Sequence, residues 1–320
     1  MDEWTQEPRS LYELEFPAPA VAGTEGGGPV LVHALEGYAD AGHAVTLAAS
    51  HLRDALDSEL VATFNSDELI DYRSRRPVIS FSGDKFDGIE MPTLAMHAVR
   101  DNSGIPFLLL EGPEPDLRWD QFTTAMSALA ERFGVSQVVG LNSIPMAVPH
   151  TRPAPITGHG TDEEALTDLN NWGSPMKLPA SASMLMELRL GEAGYRTAGL
   201  SASVPHYLAQ ANYPSAAASL VEAVATVTGL DLPISALENA ASDVRKQIDG
   251  EVESNEEIAT VVSALENQYD AYMRSKEEQA SLLAPDESMP TGDELGAEFE
   301  RFLAEHAGEF GDSDEGRDQA

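Results

Sequence analysis

Between residues 30 and 229, short apolar runs alternate with amphipathic stretches of ten to fifteen residues, and this alternation constrains the fold more than any other feature. "VLVHAL" (30–35) is followed by "AGHAVTLAASHLRDAL" (41–56), with Val45, Ala48, Leu52 and Leu56 at helical spacing, and then by "LVATF" (60–64). That order predicts a strand, a helix and a second strand. "PVISF" and "PTLAMHAV" flank the turn-rich "SGDKFDG" and predict a hairpin. "IPFLLLEG" reads as a buried strand, "DLRWDQFTTAMSALAERFG" as a helix ending at Gly134, and "SQVVGL" as a strand. "ASASMLMELRLGEAG" is a helix, "TAGLSAS" a strand, and "SAAASLVEAVATVTG" a helix closing at Gly229. The alternation predicts an α/β fold, with a mostly parallel sheet covered by helices on both faces.

Around residue 230 the pattern changes. Leu237, Val244, Ile248 and Val252 repeat at helical spacing, as do Ile258, Val261, Leu265, Tyr269 and Tyr272. No strand signal interrupts them, so two helices joined near 250–255 are expected to pair as an antiparallel hairpin. The final segment holds twelve acids against two bases and one amphipathic pattern, with Leu295, Phe299 and Leu303 in a stripe. The expected organisation is a core over 1–232, a helical hairpin over 233–283 and an acidic tail over 284–320.

Composition removes several function classes. A formal net charge of −35 leaves no basic face for a phosphate backbone or an anionic membrane. Without cysteine there is no disulfide, thiolate metal site or cysteine nucleophile. No apolar run is long enough to span a bilayer. The acidic opening "MDEWTQEPRSLYELEF" is unlike a secretory signal, so a cytoplasmic chain is expected. "GTEGGG" precedes a strand, whereas a phosphate cradle follows one and opens a helix, so it reads as a linker. Neither a cofactor nor a metal is called for by any motif.

What remains is a set of polar loops after strands. Glu36, Tyr38 and Asp40 follow the first strand, and Glu111, Glu114 and Asp116 sit on the Pro-stiffened loop "EGPEPD" that follows another. Val-Pro-His occurs twice, at 148–150 and 204–206, each time after an apolar run. Proline cannot donate to a ladder and holds its predecessor extended, so each triplet ends a strand. His150 with Arg152, and His206 with Tyr207, therefore sit on loops at one sheet edge, facing the "EGYADAG" and "GPEPD" loops. In open parallel sheets ligands bind at the carboxyl ends of strands, so this constellation is a candidate binding site. The bland alternatives are that Asp40, Glu114 and Asp116 cap nearby helices and that both histidines brace loops. "DYRSRRP" (71–77) offers either an anion pocket or pairing with the chain's own acids.

Six stretches in order, "HALEGYADAGHA", "DYRSRRP", "FLLLEGPEPDLRW", "IPMAVPHTRP", "VPHYLAQANYP" and "LENQYDAY", resemble the bacterial branch of the proteasome assembly chaperone 2 family. The resemblance covers roughly 30–275. It implies a three-layer α/β core of phosphorylase-like fold, a C-terminal helical hairpin, and a homo-oligomer, with a trimer as the expected state. It further implies an assembly-chaperone or scaffold protein that works through protein contacts. The alternative is a small-molecule binder, hydrolase or phosphorylase-like enzyme that uses the strand-end loops. Proteasome-directed members often end in hydrophobic-Tyr-X; this chain ends Asp318-Gln319-Ala320, so docking by that tail is not expected.

Overall fold

The computed structural model describes residues 11–19, 21 and 27–276. Its strands are β1 (Tyr12–Leu14), β2 (Val30–Glu36), β3 (Asp57–Phe64), β4 (Val78–Ser82), β5 (Lys85–Glu90), β6 (Ala95–Arg100), β7 (Pro106–Pro113), β8 (Gln137–Met146), β9 (Ile156–Gly160) and β10 (Arg196–Pro205). Its α-helices are α1 (Ala44–Ala55), α2 (Ser66–Leu69), α3 (Trp119–Phe133), α4 (Glu163–Leu166), α5 (Ala182–Glu192), α6 (Pro214–Thr228), α7 (Ser235–Ser254) and α8 (Glu256–Lys276).

Eight strands make one sheet in the order β1-β3-β6-β7-β2-β8-β10-β9. The four central strands β7-β2-β8-β10 are parallel, whereas β1, β3, β6 and β9 join antiparallel. The expected parallel sheet is thus its centre, and the whole is mixed. Connection length explains the difference, because parallel neighbours need a crossover of a dozen or more residues. The chain from β7 to β8 carries α3, which meets that need. The segments 101–105 and 147–155 are too short, so β6–β7 reverses direction and β9 runs back against β10.

Strand alternation then builds two cores. Val32, Val139 and Leu200 face α1 and α6, where Leu52 and Leu220 are fully buried. Leu31, Leu108 and Val138 face the other way, onto Phe122 and Met126 of α3 and Leu190 of α5. Three layers result.

The hairpin expected around "SGDKFDG" forms inside that stretch. β4 pairs with β5 across a turn at Gly83, whose φ of 66° suits glycine. "PTLAMHAV" enters the main sheet as β6, where Met96 and Val99 bury on opposite faces. β4 and β5 pair only with each other and stand exposed along their whole length. The helical repeat beyond 233 forms α7 and α8, which turn at Asn255. The tail helix expected over 291–307 lies outside the described residues. Among the described residues, no helix is long and apolar enough to cross a membrane.

Candidate functional site

The loop after β8 reads Val148-Pro149-His150-Thr151-Arg152-Pro153, and nearly every polar group on it reaches α7 or α8. Buried His150 sends Nε2 to Asp249 Oδ1 of α7 at 3.1 Å and Nδ1 to the Tyr207 hydroxyl at 2.7 Å. A carboxylate only accepts, so Nε2 carries a proton, and in the neutral imidazole Tyr207 donates to Nδ1. The same hydroxyl accepts from the His150 backbone N–H at 2.9 Å. Burial pushes the Tyr207 phenol up to about 12, so it remains a donor. Thr151 Oγ1 donates to Glu266 at 2.6 Å, and Arg152 forks onto Asp270 at 2.9 and 2.8 Å, both acids on α8. Tyr269 donates its hydroxyl to the Pro153 carbonyl at 3.3 Å. Hydrogen bonding to Asp270 raises the Arg152 pKa, and the same bond lowers that of Asp270. The loop is a latch for the helical hairpin.

The second Val-Pro-His ends β10 opposite the end of β8, in register Met146–Pro205. Both triplets therefore reach the same sheet edge, but the imidazoles differ. His150 is buried, whereas His206 is exposed and meets the Tyr207 ring edge-on, with centroids 5.4 Å apart. The carboxylate on His150 comes from α7 and not from the "EGYADAG" or "GPEPD" loops, which corrects the expected orientation.

Those acidic loops are occupied with each other and with helix starts. Glu114 is buried, accepts from Tyr38 N at 3.1 Å, and caps α5 through Ala182 N. It therefore caps a helix almost seventy residues away and not the one beginning near 117. Gly37 is required beneath it, since a Cβ there would come within 2.5 Å of Glu114 Oε2. Asp116 accepts from Asp71 N at 2.9 Å and pairs with Arg75 at 3.3 Å. Asp40 accepts from Val45 N at 2.8 Å and the Thr46 hydroxyl at 2.6 Å in the first turn of α1. Burial raises its pKa, with those bonds opposing. Glu36 and the Tyr38 ring are exposed beside them.

Two further polar groupings form around residues that, Glu111 excepted, lay outside the expected set. One lines a cleft of about 890 Å³ between α1, β6 and the segments 75–78 and 90–93. On its floor Arg53 pairs with buried Glu111 at 2.7 Å, and His97 Nε2 lies 3.4 Å from the same carboxylate. Burial lowers the His97 pKa, with Glu111 opposing. The other grouping is a row across four strands. His33, Gly140, Gly199 and His159 are register partners on β2, β8, β10 and β9. Glu187 of α5 lies over the two glycines, where any Cβ would collide with it. Its Oε2 bonds His159 Nε2 at 3.0 Å, and its Oε1 lies 3.4 Å from His33 Nε2, close in charge but without hydrogen-bond alignment. Burial alone would raise the Glu187 pKa; the two imidazoles outweigh it and hold it at about 2. His33 Nδ1 meets Ser183 Oγ at 3.2 Å. The row fastens α5 to the sheet. Glycines inside the apolar runs "QVVGL" and "TAGL" were the signal that could have revealed it.

A model described as the PAC2 family matches residues 34–252. The chain belongs to the PAC2 family. The match includes the latch loop and most of α7. Among solved structures, Mycobacterium tuberculosis Rv2714, a protein of unknown function, is 50% identical with a TM-score of 0.81, covering 86% of this chain and 96% of that one. A Corynebacterium glutamicum protein of unknown function is 46% identical with a TM-score of 0.80, over 84% and 99% of the two chains. The M. tuberculosis proteasome-assembly chaperone homologue Rv2125 is 26% identical with a TM-score of 0.66, over 73% and 99%. A comparison with proteins of curated function finds no match. This PAC2 chain shares its α/β body with these neighbours.

Proposed function

We propose that this PAC2 protein is an assembly-chaperone-like protein that works in the cytoplasm through protein–protein contacts, with α7–α8 as its presenting element. The proposal divides the chain into the core over 1–232, the hairpin over 233–283 and the acidic tail. The observation that carries it is the latch. His150, Thr151 and Arg152 pin α7–α8 by five side-chain bonds, the fifth from Arg152 to Glu266 at 3.3 Å, while Ile258, Val261 and Met273 of α8 stay exposed. A rigidly held helix pair whose apolar stripe runs on from buried Leu265 and Tyr269 to exposed Ile258 and Val261 fits helix-face recognition by another protein. The likeness to a proteasome-assembly chaperone homologue makes proteasome subunits the partner class to test. Purified subunits from the same source are mixed with the wild type or with Ile258→Asp/Val261→Asp. Faster particle assembly with the wild type alone supports the reading, and equal rates with and without the protein contradict it. A trimer is the oligomeric state this reading takes, and light scattering reads it directly.

The cleft over Arg53, His97 and Glu111 supports the second reading, a small-molecule binder. Thermal shift against carboxylates, phosphate and nucleosides tests it; a flat response sets it aside. Under either reading Glu36, Tyr38, Asp40, Glu114, Asp116 and His206 act mainly by shaping the loops.

A further inference from the structure

The β4–β5 ribbon has an apolar face that no described residue covers. Its pairing puts Ile79 beside Ile89 and Phe81 beside Phe86 on one side, the phenyl rings tilted edge-on with centroids 5.4 Å apart. These four side chains are 49%, 56%, 63% and 66% exposed. Ser80 with Gly88, Ser82 with Lys85 and Val78 with Glu90 pair on the opposite face, which is polar apart from Val78. A two-stranded ribbon is marginal in water, and an apolar strand face left open invites association.

We propose that this ribbon is a self-association surface, occupied by the ribbon of a second copy across a two-fold axis. Three observations select a second copy. First, the face is self-complementary in shape: the phenylalanine pair lies near the turn and the isoleucine pair near the base, so antiparallel stacking sets each large pair on a smaller one. Second, it is self-complementary in charge. The turn end carries Asp84 and Lys85, and the base end carries Arg76 and Glu90. Antiparallel stacking brings Arg76, just before the base of the ribbon, toward the second copy's Asp84 at its turn. Arg76 and Asp84 are exposed and make no ion pair among the described residues, in a chain with only 19 bases against 54 acids. Third, the four apolar side chains offer roughly 500 Å² per copy by their size, a large part of the ~800 Å² per partner of a standard interface. A two-fold contact uses one patch twice, so the same residues meet themselves. Charge at the rim sets register more than affinity.

Breaking the contact halves the particle mass, whether it joins two single chains or two trimers face to face. Light scattering at micromolar concentration compares the wild type with Phe81→Ser/Phe86→Ser. The variant is expected at half the mass with an unchanged melting temperature, because neither ring is buried in the chain. Arg76→Glu is expected to weaken association, and Arg76→Glu/Asp84→Arg to restore it. Equal masses for the wild type and the phenylalanine variant would overturn the proposal. So would a wild-type monomer, which would leave the ribbon as a face for another protein. Neither result depends on whether proteasome subunits bind α7–α8.

Discussion

The molecule carries two hairpins with opposite fates. The helical one, α7–α8, lies against the body: Leu237, Val262, Leu265 and Tyr269 are buried, and the loop 148–153 holds it by directed polar bonds. The stranded one, β4–β5, is exposed at every position and contacts its own second strand. Both contain apolar side chains at regular spacing, so apolar content alone does not distinguish them. What does is a sequence-distant partner: one hairpin has the His150–Arg152 loop beneath it, while no described residue packs on the other's apolar face. Where a chain keeps such a face open, its free energy of burial is available to another molecule.

The sharpest way to break this contrast is truncation of one buried and one exposed apolar residue. Leu265→Ala on the seated side of α8 is expected to destabilise by about 2–5 kcal/mol through lost burial and the cavity left behind. Phe81→Ala on the ribbon is expected to change the stability of an isolated chain by less than ~0.5 kcal/mol. Urea unfolding under dilute conditions measures both. Equal losses would mean that the ribbon packs on the body.

A second contrast separates a buried charge cluster from the partly exposed latch. The Glu187 pKa is lowered to about 2 from an ordinary 4.5, so its contribution is present above pH 4.5 and is lost as pH falls through 2. The size of that loss is on the order of 3 kcal/mol. The His159 pKa is raised, chiefly by its bond to Glu187. Its contribution is therefore complete below pH 6.5 and is lost as pH rises through the raised value. Unfolding free energy measured from pH 2 to 9 should fall at both ends. His159→Gln should flatten the alkaline fall while leaving an acid one; an alkaline limb unchanged in His159→Gln would contradict this assignment.

Much of the fold was legible. The alternation of strands and helices, the helix ends at Gly134 and Gly229 and the two long helices after 233 follow from local periodicity and turn chemistry. The antiparallel flanks were not, because strand direction depends on connection geometry and pairing choice. The second Val-Pro-His ends β10, and the first lies on the loop two residues beyond the end of the adjacent β8, at the same edge. Their different roles were hidden, since the carboxylate that meets His150 lies 99 positions away. His33 sat within an apolar run and reads as a core residue until register sets it beside Gly140.

The twin histidines give the next smaller effect. His150→Ala removes bonds to Tyr207 and Asp249 at a buried position and should cost about 1–3 kcal/mol. His206→Ala, at an exposed position, should stay within ~0.5 kcal/mol. Thermal denaturation of the two variants side by side checks this, and equal costs would erase the distinction between latch and rim. Smallest is the Arg152 fork, whose exposure to solvent screens it. Arg152→Ala should leave global unfolding nearly unchanged while speeding amide exchange in the second half of α8, and high salt should mimic it in the wild type. An unaltered α8 would remove Arg152 from the latch.

The central claim is that α7–α8 is a held element and β4–β5 an open one. Amide hydrogen exchange across a dilution series tests both in a single experiment. The account predicts that the buried positions of α7–α8, Leu265 and Tyr269 among them, exchange slowly at every concentration, while β4–β5 is protected only when the protein is concentrated. Fast exchange throughout α7–α8, or a ribbon equally protected at all dilutions, would contradict it.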